Sequence, residues 1–134
     1  MPYVVVDTCV LSYLYSGQDP AGAYHPHVAG NTKVISFMTL AELHYGTLKN
    51  DWGAPRRTRL LGHVESEYVI FPFNRELCGW WADVTDRSER VGRRLEAADA
   101  WIAATAMLYN IPLVTHNRRH YEVLEPDLTV ISES

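Results

Sequence analysis

The sequence predicts a three-layer α/β/α sandwich built on a mainly parallel central sheet. Two observations point there. Tyr3-Val4-Val5-Val6 is an unbroken β-favouring run without polar alternation, the pattern of a strand buried on both faces. Short runs of this kind then alternate with longer stretches of helical period, which is the element order of an α/β protein. With 134 residues, the chain is expected to be a single domain, 1–134, able to bury a core of its own.

Composition narrows the class. Hydrophobic content of 47% with 21% charged residues is globular rather than disordered. No apolar run reaches the ~20 residues of a membrane span, so no membrane association is expected. The N-terminus lacks a basic-then-apolar leader, and Cys9 and Cys78 give no disulfide framework; a cytoplasmic protein with reduced thiols is expected. Cys9 reads as a small packed residue, because an acidic neighbour disfavours the thiolate. A net charge of −4 excludes a generally basic nucleic-acid coat. Ten of the twelve basic residues are arginines, however, and nine of those are clustered at 56–59, 87–94 and 118–119. Arginine suits bidentate phosphate contact.

Asp7 stands where the first strand stops, on the edge where open parallel sheets bind ligands. An equal alternative makes it the N-cap of a helix over 10–15. A break at 16–20 precedes a short helix over 21–28, whose His25 and His27 lie two apart, face different ways and read as a solvated pair. The second strand is expected at 33–37 and a helix at 39–46, with Leu40, Leu43, Thr47 and Leu48 as its apolar stripe. Thr39-x-x-Glu42 matches a capping box, so Glu42 is either a cap or an acid at the same sheet edge as Asp7.

Pro55 opens a helix running to 67, and 68–71 is the third strand. A long helix is expected over 75–95, with Leu77, Trp81, Val84, Val91 and Leu95 inward. Its polar face offers the pairs Asp83–Arg87, Asp86–Arg90 and Glu89–Arg93, four residues apart, leaving Arg94 as the arginine for phosphate. Trp80 and Trp81 cannot both face one core, so one is expected on a surface that a partner covers. In the next helix, 96–107, Asp99 shares a small apolar face with Ile102, Ala103 and Ala106. An ionised carboxylate there needs a cation, and no lysine or arginine lies on the stripe, which makes a metal the economical partner. Glu96 is an added ligand or, preferably, a charge complementing the helix dipole. The fourth strand, 111–115, delivers Thr115 and Asn117 to the same edge, and 128–131 closes the sheet.

Helices covering a parallel sheet run opposite to its strands, so Asp7, Glu42 and Asp99 are all expected at the strands' carboxyl edge. Clustered carboxylates stay ionised at neutral pH only with a cation among them. Oxygen-only donors point to Mg²⁺, with Mn²⁺ as the variant, rather than zinc. Such a site suits phosphodiester hydrolysis, in which the metal polarises the phosphate and activates water.

In order and spacing, Asp7-Thr8, Thr39-Leu40-Ala41-Glu42-Leu43, the segment Asp99-Ala100-Trp101-Ile102-Ala103-Ala104 and Thr115-His116-Asn117-Arg118-Arg119-His120-Tyr121 resemble the PIN-domain ribonucleases. The likeness is greatest to the VapC toxins of type II toxin–antitoxin systems. It implies Asp7 and Asp99 as direct Mg²⁺ ligands, Glu42 completing the acidic cluster and binding the metal directly or through water, and Thr115 and Asn117 as polar support. It also implies endoribonuclease action on RNA, a homodimer, and a cognate antitoxin that inserts a peptide into the acidic groove. His120 departs from the pattern, standing where many members carry an acid; Cys9, often Asn in the family, departs more mildly. The runner-up reading is a catalytically silent PIN module that binds RNA or a partner protein. A haloacid-dehalogenase-type phosphatase would want a second Asp where Cys9 stands, a receiver domain lacks its acidic pair and late lysine, and a flap nuclease would need a longer chain.

Overall fold

A computed structural model describes residues 2–134. Five strands, β1 (Tyr3–Val6), β2 (Thr32–Ser36), β3 (Val69–Phe71), β4 (Leu113–Val114) and β5 (Val130–Ile131), form one sheet in the order β3-β2-β1-β4-β5. Every neighbouring pair is parallel, with Val5 opposite Val34 on one side and Leu113 on the other. The expected three-layer architecture is the observed one, and the Tyr3–Val6 run is its central strand. Each strand pair is parallel, so every strand ends at one edge.

Among the described residues seven α-helices cover the sheet: α1 (Thr8–Ser16), α2 (Ala21–Val28), α3 (Phe37–Lys49), α4 (Ala54–Glu67), α5 (Arg75–Arg90), α6 (Ala97–Tyr109) and α7 (Arg118–Tyr121). The pleat of β1 sorts its valines between two cores. Val5 packs with Val34, Leu113 and the inward faces of α5 and α6, including Val84, Ile102, Ala103 and Ala106. Val4 and Val6 pack the opposite way, with Val10, Leu11, Tyr24, Leu43 and Val64 of α1 to α4. The alanine-rich face of α6 lets that helix lie close on the sheet, and Asp99 is carried on its first turn.

Several local expectations are corrected. α3 begins at Phe37 because Ser36, not Thr39, is the N-cap, its hydroxyl accepting from Met38 N at 3.0 Å. The capping box is therefore absent. Leu48 is 58% exposed, and Thr39, Leu43 and Thr47 make the buried stripe instead. α5 stops at Arg90 rather than at residue 95, since Gly92 adopts a left-handed φ of 74° that ends the helix. Val91 is exposed, while Leu95 reaches the core from the following loop.

Of the three expected helix pairs only Asp86–Arg90 forms, at 2.7 Å. Arg87 turns to Asp127 and Arg93 to Glu122, both acids of the C-terminal segment. Arg94 is not the free arginine, because Glu89 lies 3.2 Å from its Nε. Trp81 stacks on Trp101, while Trp80 lines a separate surface depression with Glu76 and Asp83.

Candidate active site

Three chain crossings meet at the carboxyl edge: the β1–α1 junction, the first turn of α6, and the β4–α7 junction. Asp7 is the N-cap of α1, its Oδ1 accepting from Thr8 N at 2.8 Å. The capping alternative is thus correct, and it does not compete with the other one. Oδ2 is turned inward, where Thr115 Oγ1 donates to it at 2.6 Å. Thr115 in turn accepts from Asn117 N at 3.0 Å, so the backbone leaving β4 fixes the hydroxyl that fixes the acid. The Asn117 amide reaches away to Cys9 Sγ at 3.6 Å.

Asp99 enters from α6 with its side chain 21% exposed. Its Oδ1 lies 3.2 Å from the hydroxyl of Tyr121, which also lies 3.3 Å from Asp7 Oδ2. One buried phenol proton therefore stands between two carboxylates that are distant in sequence. Asp99 Oδ2 faces His120 Nδ1 at 3.1 Å. Glu42 sits to one side, its Oε1 accepting from Thr8 Oγ1 at 2.7 Å, with Thr39 Oγ1 3.0 Å from the same hydroxyl.

Asp7 and Asp99 are thus brought together as expected, with Thr115 behind Asp7 and Glu42 linked through Thr8. Among the described residues, no three His, Cys, Asp or Glu side chains converge tightly enough to enclose a metal by themselves. The sequence reading missed Thr8 and Tyr121, and it did not give Asp99 its imidazole neighbour. Tyr121 is fully buried beside three polar positions of the motif, an aromatic-with-hydroxyl pattern that asks for a partner.

The electrostatics follow from the geometry. Burial pushes the Asp7 carboxyl above the usual range; the Thr115 hydrogen bond opposes this and the nearby charge of Asp99 adds to it. Burial likewise raises Asp99, against the pull of His120 and Tyr121 and with a further push from Glu96 and Glu42. Glu42 is raised by burial, with Asp7 and Glu96 contributing. Burial and Asp7 push the Cys9 thiol up to about 11, which leaves it a protonated packing group rather than a nucleophile. Asp7, Glu42 and Asp99 are raised together, in each case chiefly by burial. This is the electrostatic signature of a carboxylate site short of positive charge.

A family model for the PIN domain matches residues 4–125. The chain belongs to the PIN-domain family. Its curated relatives are ribonucleases of the VapC group. It is 30% identical to Ribonuclease VapC1 of Haemophilus influenzae (strain R2866) over 125 residues, covering 88% of this chain and 89% of that protein. It is 26% identical to VapC ribonuclease Y4jK of Sinorhizobium fredii, covering 93% and 94%. Among solved structures, VapBC2 from Rickettsia felis bound to a promoter DNA fragment superposes with a TM-score of 0.81 at 23% identity, covering 97% of this chain and 98% of that one. In this PIN domain the edge that gathers Asp7, Glu42 and Asp99 lies entirely within the matched span.

Proposed function

We propose that the chain is a metal-dependent endoribonuclease, the toxin of a type II toxin–antitoxin pair, and that Asp7, Glu42 and Asp99 are its acidic centre. The observation that carries this reading is the pairing of Asp7 and Asp99 across the Tyr121 hydroxyl. A buried and a half-buried carboxylate sharing one hydroxyl, both raised in pKa, have the donor chemistry that a hard divalent cation satisfies. Mg²⁺ fits this set because it is commonly bound by one or two carboxylates with water filling its other positions; Mn²⁺ takes the same donors. Asp7 and Asp99 would hold the ion directly, and Glu42 directly or through water. The bound ion would polarise the scissile phosphate and offset its charge.

The chain's own side chains do the positioning. Thr115 and the Thr8 amide fix both oxygens of Asp7. Thr8 orients Glu42, and Tyr121 keeps Asp7 and Asp99 from separating. Asn117 supports Thr115 through its backbone amide. Relatives named as ribonucleases, and structural neighbours solved as VapBC complexes, support an RNA substrate and a protein antitoxin as partners. A homodimer, a single domain over 1–134 and a cytoplasmic setting complete the reading; no helix among the described residues is long and apolar enough to cross a membrane.

The test is cleavage of total cellular RNA by the purified protein with Mg²⁺ or Mn²⁺, with EDTA, and with Asp99→Asn. Metal-dependent cleavage lost in the variant supports the proposal. Cleavage that persists in EDTA or in Asp99→Asn overturns it. RNA binding without any cleavage would favour the silent-module reading, for which His120 beside Asp99 is the motivating observation.

A further inference from the structure

The acids that suit this cleft to a cation also repel a polyanion, so RNA needs positive charge at the rim. Two adjacent clefts open at the carboxyl edge. One, of about 310 Å³, is lined by Arg93, Arg94, Glu96, Asp99, Arg119 and His120. The other, of about 380 Å³, is lined by His116, Asn117, Arg118, Arg119 and Ser134 among others. Arg119 and His120, on α7, border both and form the ridge between them.

Four arginines line these clefts, and three are already engaged. Arg93 pairs with Glu122 at 3.1 Å and also donates to the Arg119 carbonyl at 3.1 Å. Arg94 pairs with Glu89 at 3.2 Å. Arg118 pairs with Glu125 at 2.8 Å and donates to the Val130 carbonyl at 3.1 Å. The Arg93 and Arg94 pairs are exposed and hold little energy, and the Arg118 pair is half-buried, yet each cancels a charge in the local field. The guanidinium of Arg119 has no acidic or carbonyl partner among the described residues, although Asp99 and Glu96 line the same cleft. It is exposed, and its own backbone is tied down by Arg93.

We infer that Arg119 is a substrate-positioning residue that grips a backbone phosphate of single-stranded RNA as the strand passes over α7 between the two clefts. This rests on the nuclease reading above. Arginine matches the task because its planar fork meets two phosphate oxygens at once. A phosphate beside the reacting one changes little during the reaction, so the contact is made equally in ground and transition states. Its loss should raise KM and spare kcat.

The experiment compares Arg119→Ala, Arg119→Lys, Asp99→Asn and, as a remote control, Arg90→Ala. Cleavage kinetics are measured on a single-stranded RNA that the wild type cuts. Binding of that RNA is followed by fluorescence anisotropy across a salt series in the Asp99→Asn background, where cutting is off. For Arg119→Ala the expected result is a KM raised about tenfold, kcat within about twofold, and a salt slope shallower by ~0.7, the value of one phosphate contact on a single strand. Arg119→Lys should restore the salt slope and part of KM, while Arg90→Ala behaves as wild type and all variants melt within a few degrees of it. An unchanged KM and salt slope in Arg119→Ala, or a fall in kcat alone, overturns the inference while leaving the nuclease reading intact. A wild type that cuts no RNA, or cutting that survives Asp99→Asn, overturns both.

Discussion

His120 Nδ1 lies 3.1 Å from Asp99 Oδ2, so an imidazole occupies the flank of the acid that the cation reading needs most. The His120 ring pulls the Asp99 carboxyl down against the upward push of burial, acting as a partial substitute for the missing positive charge. It adds no negative charge for a metal to meet. His120→Asp should therefore keep or raise RNA cleavage and tighten Mg²⁺ several-fold, measured by calorimetric titration. The same variant should be less stable in EDTA, because another carboxylate joins a crowded cleft. A large loss of cleavage would assign the imidazole a role of its own.

The Tyr121 hydroxyl serves both carboxylates and lowers the pKa of each. Tyr121→Phe preserves shape and removes only that proton. Its cost should be about 1–3 kcal/mol in metal-free urea unfolding, the range for a lost hydrogen bond to a buried charged group. Both acids should then hold their protons to higher pH. Since cleavage requires them ionised, the acid limb of the pH–rate profile should move upward. An unmoved acid limb would show that the phenol does not tune the pair.

The physical reach of sequence pattern is visible in these residues. A strand followed by an acid, and an acid on a small apolar helical face, are local patterns, and they placed Asp7, Glu42 and Asp99 at one edge correctly. Tyr121 and Asp7 are separated by 114 positions, and no local period reports such a contact. Thr8 was hidden because a threonine beside a helix start has an ordinary capping explanation. The Thr39-x-x-Glu42 pattern misled for the converse reason: its spacing was right, but Ser36 starts the helix three residues earlier. Arg94 finds an acid five positions back, across the unwinding last turn of α5, outside the four-residue rule applied to a regular helix.

Thr115→Val tests positioning without touching an acid. The substitution keeps the β-branched shape that suits β4 and removes the 2.6 Å donor to Asp7 together with the acceptor for Asn117 N. Removing a partner that orients a metal ligand typically costs 10–100-fold in affinity or activity. Cleavage should fall by about that much, with circular dichroism unchanged, and Thr115→Ser should recover most of it. Equal activity in Thr115→Val would show that Asp7 needs no such support.

Asp99→Asn should separate stability from function. The carboxyl's folded pKa is raised above the usual 3.8, so the folded chain holds this proton more tightly than the unfolded chain does. Stability from that proton is complete well below 3.8 and is lost as pH rises through the folded value. At neutral pH the ionised side chain is therefore a net cost in the metal-free protein. An asparagine retains an oxygen to accept from Tyr121 and places an amide beside the His120 ring. In EDTA at pH 7.5 the variant should melt a few degrees above the wild type, and the gain should vanish as the pH approaches 4. Mg²⁺ should raise the wild-type melting temperature by mass action and leave that of the variant nearly unchanged. If instead Asp99→Asn is less stable than wild type in EDTA at neutral pH, the charge on Asp99 is already satisfied by the protein itself. The electrostatic case for a cation at this edge then fails.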